Sequence, residues 1–438
     1  MHAFALVLIL LSFKASALIL PEAYLSGPEV CAKHTRSKER EIWLQVPVDY
    51  QDESKGVTPL YAWTKKTFDP QKKTMIFVSG GPGDTAHHSH LSLSDWNVVF
   101  FDQRGNSCSR PMTRELYLTP SFYSSENTTR DIDEIRKHLK LAQISVYGVS
   151  YGTVPAHLYG HFFPNSTRAI VLEGIIYQGG ETLMRPVERT QMLQDFFDTL
   201  PENTQERILE LSHHPEVKSN WFSNVGMKML YQDNAHEVLN IFLSNIIWNE
   251  ELFVTLMKSF EETNPKDSEF GFGNVMMGMI GCQELGMNLS KASFYSIFHN
   301  KKLISDNKNL QQQHYCQDLG FLPDTPTELY NASQKPSLAK TTYFQGTLDG
   351  ATVKGSAIKH FNQATRGFAQ LILIDKAGHL PVYGTIASGY GKGEDLELRN
   401  LALAKALNGE IIPKPLLDQL SYLSVLKWTQ TLKSTPDL

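Results

Sequence analysis

The sequence predicts an α/β fold: a mostly parallel sheet flanked by helices, with a helical segment inserted into it. Three observations predict it. Short apolar runs, rich in β-branched and aromatic residues, alternate with helical patterns from Met75 to Leu172. From Gly179 to Ser337 strand patterns vanish and apolar residues recur at helical spacing. Strand patterns then return at Thr342–Phe344 and Leu371–Ile374. Continuous apolar runs are what buried parallel strands require, because helices cover both faces of such a sheet.

Composition allows this fold and excludes others. With 41% hydrophobic and 20% charged residues, the 438-residue chain has ample core and no case for wholesale disorder. A net charge of -5 supplies no electrostatic footprint for nucleic acid or an anionic membrane.

In chain order, residues 1–17 read as a secretory signal peptide: an apolar run, Ala3–Phe13, precedes Lys14 and the A-x-A site Ala15-Ser16-Ala17. The run is too short to span a bilayer, which takes about 20 residues, so no membrane span is expected after cleavage. The chain is expected to be exported, periplasmic or secreted. Residues 18–178 form the first part of the core, 179–338 a helical cap insertion, and 339–438 the second part of the core.

Within the core, Ile42–Tyr50 and Pro59–Thr64 read as a hairpin, and Met75–Val78 and Val98–Phe101 as buried strands. Thr129 or Asp131 is expected to cap a helix carrying Ile132, Ile135 and Leu139. The strand Ile144–Tyr147, a helix from Thr153 stopped by Pro164, and the strand Ala169–Leu172 follow. A helix is expected from about Thr352 to Asn362, and the chain from Leu396 onward reads as helical with a break at Pro413 and Pro415.

The sharpest motif is Gly148-Val149-Ser150-Tyr151-Gly152, a G-x-S-x-G directly after a buried strand and before a helix. That context suits a strained turn that lifts a serine hydroxyl clear of the sheet. Such a hydroxyl needs a base that is itself oriented by a carboxylate. Asp349 and His379 stand in the turns after the strands Thr342–Phe344 and Leu371–Ile374, in the order this architecture requires; Asp375 is a weaker candidate because it lies too close to His379 along the chain. The oxyanion of the intermediate needs backbone donors, expected from Tyr151 and from Gly81 in the turn Ser79–Gly83. That turn fits neither phosphate-binding glycine pattern. His87, His88 and His90 cluster without an acidic or cysteine partner at ligand spacing, so no metal and no cofactor is expected. Cys31, Cys108, Cys282 and Cys316 contain no C-x-x-C pair; in an exported chain they become disulfides, with three pairings open.

Together, Gly80-Gly81-Pro82-Gly83, Asp102-Gln103-Arg104-Gly105 with Ser109-Arg110-Pro111, and Gly148–Thr153 resemble the α/β-hydrolase serine aminopeptidases, prolyl aminopeptidases and secreted tripeptidyl aminopeptidases among them. The resemblance extends to Val46–Tyr50 and to the Asp349 and His379 loops, and is weaker in the cap. It implies the α/β-hydrolase fold, a Ser150–His379–Asp349 triad, and cleavage of peptides from a free N-terminus beneath a helical cap. By similarity to the tripeptidyl branch, Ile280–Glu284 implies a Cys282–Cys316 disulfide, leaving Cys31 with Cys108. A substrate ammonium needs a carboxylate partner, and Glu173 and Glu284 are the candidates. Arg104 is expected to hold its own loop by hydrogen bonds. A carboxylesterase with the same triad, or a non-catalytic binding protein on the same fold, are the alternatives.

Overall fold

The computed structural model describes residues 24–33, 40–179, 192, 194–217, 221–222, 226, 229–230, 235–262, 274–286, 316, 329–389 and 391–433. The expected signal peptide, residues 1–17, lies outside them.

Nine described strands make one sheet: β1 (Arg40–Pro47), β2 (Val57–Thr64), β3 (Lys73–Val78), β4 (Trp96–Phe101), β5 (Ile144–Val149), β6 (Thr167–Glu173), β7 (Thr341–Gly346), β8 (Ala369–Ile374) and β9 (Trp428–Lys433). Their spatial order is β1-β2-β4-β3-β5-β6-β7-β8-β9. From β4 to β8 all neighbours pair in parallel; β2 joins β4, β1 joins β2, and β9 joins β8 antiparallel.

The central strands are apolar throughout because both faces are covered. Phe77 of β3 and Tyr147 of β5 pack with Leu403, Ala406 and Leu407 of the helix Gly393–Leu407. Their neighbours Ile76 and Val146 turn the other way, toward Ile132, Ala156, Tyr159 and Phe361 of the helices Ser125–His138, Thr153–Phe162 and Lys354–Gln363. Each such buried side chain contributes about 1.5–3 kcal/mol.

Two sequence expectations need correction. The helix before β5 starts at Ser125, where the Ser124 hydroxyl caps it by accepting from Asn127 N at 3.0 Å. Thr129 lies inside that helix, donating to the Ser125 carbonyl, and Asp131 faces Arg104. The first turn is polar, so apolar periodicity misses it. The helix expected after β7 from about Thr352 to Asn362 runs from Lys354 to Gln363. Finally, Trp428–Lys433 is a strand and not helix: Val425, at φ +56, ends the helix Lys414–Ser424, and Trp428 alone of β9 is buried, so no apolar run marks it.

Between β6 and β7 the described residues include the helices Glu202–Leu211, Ala235–Ile241, Glu250–Glu262 and Asn274–Gln283. Ile208, Trp221, Phe242 and Phe253 form an apolar cluster of their own. Met276, Met279 and Ile280 pack instead with Tyr151, Val154 and Tyr177 of the core. Disulfides join Cys31 to Cys108 and Cys282 to Cys316, the pairing the resemblance implied. No helix among the described residues is long and apolar enough to cross a membrane.

Candidate active site

β5 ends at Val149, and Ser150 turns the chain at φ +53 into the helix Thr153–Phe162. A non-glycine residue held there is strained, as expected of an exposed nucleophile on a sharp turn. The flanking glycines permit it: a Cβ on Gly148 would lie 2.2 Å from the Gly152 carbonyl oxygen, and one on Gly152 equally close to that of Val78. Ser150 is half-buried between the buried residues Val149 and Tyr151.

The turns after β7 and β8, adjacent strands, bring Asp349 and His379 together. His379 Nδ1 lies 2.8 Å from Asp349 Oδ2. The same carboxylate accepts from Thr352 Oγ1 at 2.7 Å, Gln345 Nε2 at 3.0 Å, and the backbone N–H groups of Ala351 and Thr352 at 2.8 Å. Burial alone would raise the Asp349 pKa; the His379 charge and the bonds from His379 and Thr352 outweigh it, holding the carboxyl below its usual value. Asp375 accepts a bond from Thr347 at the exposed rim. From the helical segment, the Leu230 carbonyl accepts from His379 N at 3.2 Å and Gly350 N at 3.4 Å.

The glycine turn after β3 lies against the serine. A Cβ on Gly80 would stand 2.9 Å from Ser150 Cβ, so only glycine fits. Gly81 sits at φ +103, and the Gln103 and Asn106 side chains hold the turn by donating to the carbonyls of Ser79 and Gly83. Tyr151 is buried, its hydroxyl 2.9 Å from Ser125 Oγ.

Sequence reasoning missed Asp84, the residue after this glycine run. Its Oδ2 is 3.4 Å from the same Cβ position on Gly80 that Ser150 Cβ approaches. Burial pushes its carboxyl up to about 6, while the His379 charge acts to lower it. No described side chain hydrogen-bonds to that carboxylate. An acid ending a glycine motif was the available signal.

The two carboxylates expected to receive an ammonium group are already occupied by protein donors. Glu173, wholly buried, accepts from Val382 N at 2.6 Å, Tyr383 N at 3.1 Å and the Tyr147 hydroxyl. It thus grips the chain just beyond His379. Burial pushes its carboxyl up to about 7 against those hydrogen bonds. Glu284 accepts from Ser125 N at 2.9 Å and from the Ser125 hydroxyl; burial raises its pKa as well. Arg104 does hold its loop, donating to Asp131 at 2.6 and 2.9 Å and to the Val48 carbonyl. His87 bonds to Asp102 and stacks on Trp63.

The sequence pattern of the α/β hydrolase fold matches residues 73–219, the stretch from β3 through the serine turn and β6. The chain has the α/β-hydrolase fold. It is 30% identical over 167 residues to the proline iminopeptidase of Arabidopsis thaliana, across 34% of this chain and 40% of that protein. It is 28% identical over 169 residues to a Leptolyngbya boryana protein named probable proline iminopeptidase, across 37% and 48%. The matches span less than half the length of these curated relatives, and the chain is similar to them in the part that carries the glycine turn and Ser150.

Proposed function

We propose that this α/β hydrolase is an exported serine aminopeptidase acting on peptides with a free N-terminus. The observation that carries the reading is the His379 Nδ1–Asp349 Oδ2 pair at 2.8 Å, on the sheet edge that also bears the strained Ser150. In this reading Ser150 Oγ attacks the carbonyl carbon while His379 takes its proton, and Asp349 fixes the tautomer and stabilises the imidazolium. The N–H groups of Gly81 and Tyr151 receive the oxyanion. The C–N bond then breaks as His379 returns the proton to the leaving amine, and water releases the acyl group by the reverse sequence.

The similarity to proline iminopeptidases supports cleavage at an amino terminus. The helical segment at residues 179–338 serves as a cap, supported by the Leu230 carbonyl seated on both the Asp349 and His379 loops. The two disulfides support export, with residues 1–17 removed.

A fluorophosphonate probe tests the nucleophile: wild type is labelled and Ser150→Ala is not. Absence of label on wild type would sink the reading. Aminoacyl and tripeptidyl amides, prolyl included, are compared with their N-acetyl forms. Equal rates on free and blocked amines would overturn the aminopeptidase assignment, and turnover confined to esters would make it an esterase instead.

A further inference from the structure

We infer that Asp84 receives the ammonium group of the substrate's first residue, and that the enzyme therefore releases single residues rather than tripeptides. The inference rests on the aminopeptidase reading and adds its specificity determinant.

The argument is one of position. Asp84 Oδ2 and Ser150 Cβ approach the same point above Gly80, at 3.4 and 2.9 Å. In a substrate cleaved after its first residue, the amine is two bonds from the attacked carbonyl carbon, about 2.5 Å away. When Ser150 Oγ contacts that carbon, the amine necessarily lies within a few ångströms of the serine, in the space Asp84 borders. A tripeptide would carry its ammonium about 7 Å farther out, at roughly 3.5 Å per residue. A carboxylate for that product belongs well away from the nucleophile, and Asp84 does not stand there.

Availability separates Asp84 from the other two acids. Glu173 is wholly buried and already accepts from Tyr147, Val382 and Tyr383, and Glu284 already accepts from the Ser125 N–H and hydroxyl. Asp84 is half-buried and no described side chain takes up its carboxylate, although Asn106 and Ser79 anchor its backbone carbonyl. A half-buried carboxylate without a partner gains most from an arriving cation, because a charge-assisted hydrogen bond is about twice as strong as a neutral one. Its Gly80–Gly83 tether fixes it against the serine, so a misplaced or blocked amine loses the contact entirely.

The test is kinetic. kcat/KM is measured for prolyl and alanyl amides, their N-acetyl forms and a tripeptidyl amide, on wild type, Asp84→Asn and Asp84→Ala, with fluorophosphonate labelling as the check that each variant is folded. Wild type is expected to prefer free over acetylated single-residue amides by about 10- to 100-fold, and both variants to collapse that ratio toward one, the scale of losing a hydrogen bond to a charged group. A ratio retained in both variants overturns the assignment to Asp84 and leaves the aminopeptidase reading standing. A wild type indifferent to acetylation overturns both. A wild type that prefers the tripeptidyl amide overturns the single-residue inference alone.

Discussion

In the sheet and its connecting loops, polar groups lie deep inside the protein with fixed partners: Arg104 forks onto Asp131, Glu173 is met by two backbone N–H groups and a tyrosine, and Asp349 takes five hydrogen bonds. Between β6 and β7 the pattern is reversed. Ile208, Trp221, Phe242 and Phe253 make an apolar interior, and charges such as Arg207–Glu250 and Lys258–Glu216 pair at the surface. Hydrogen bonds have direction, and apolar burial has none. The sheet region aims individual atoms, while the helical segment supplies shape and meets the His379 loop through the Leu230 carbonyl. Function should therefore depend steeply on single polar residues in the first region and by volume in the second.

The steepest test is Asp349→Asn, which leaves the shape of the site but supplies the wrong hydrogen-bond partner to His379 Nδ1. We expect kcat to fall about 10⁴-fold in steady-state assays; a fall below tenfold would mean the pair does not serve catalysis. Next, Arg104→Ala strands the Asp131 carboxylate in the interior and should cost about 3–5 kcal/mol in urea unfolding. A loss under about 1 kcal/mol would show that this charge is not fixed as described. Phe253→Ala should cost about 3 kcal/mol, as a cavity in the helical segment, while fluorophosphonate labelling of the folded variant persists. If labelling is lost with the fold intact, the segment aims the chemistry more directly than the comparison holds.

Much of this division was legible in the sequence. Six strands announced themselves as apolar runs because helices cover both faces, and the G-x-S-x-G turn was readable because a strand precedes it and a helix follows. The positions of Asp349 and His379 follow from strand order. What stayed hidden depended on distant partners. Nothing near Glu173 shows that Val382 and Tyr383 will occupy it, since that contact closes across 209 and 210 residues. Asp84 was in plain view beside Gly83, yet only the curl of the turn brings it over Gly80. β9 carries one buried residue, Trp428, too little for a pattern to show.

Glu173 gives the smallest expected effect and the sharpest use of pH. Its carboxyl rises from 4.5 to about 7 on folding, chiefly through burial. Below pH 4.5 the group is protonated in both states and contributes no pH dependence. Between there and pH 7 the native state keeps a proton that the unfolded chain has released, so stability falls as pH rises. Above pH 7 the penalty is complete, at about 3 kcal/mol for a shift of this size. Glu173→Gln retains an acceptor for Val382 and Tyr383 and a donor toward Tyr147, and removes the titration. Its stability advantage over wild type, read by urea unfolding from pH 4.5 to 8, should grow from near zero to about that value, with Asp84 and Asp349 cancelling because both proteins carry them. A difference that is flat with pH would mean that Glu173 titrates as it does in water. A pH-dependent penalty of this kind belongs to the region that fixes polar groups by hydrogen bonds, and no apolar substitution in the helical segment should reproduce it.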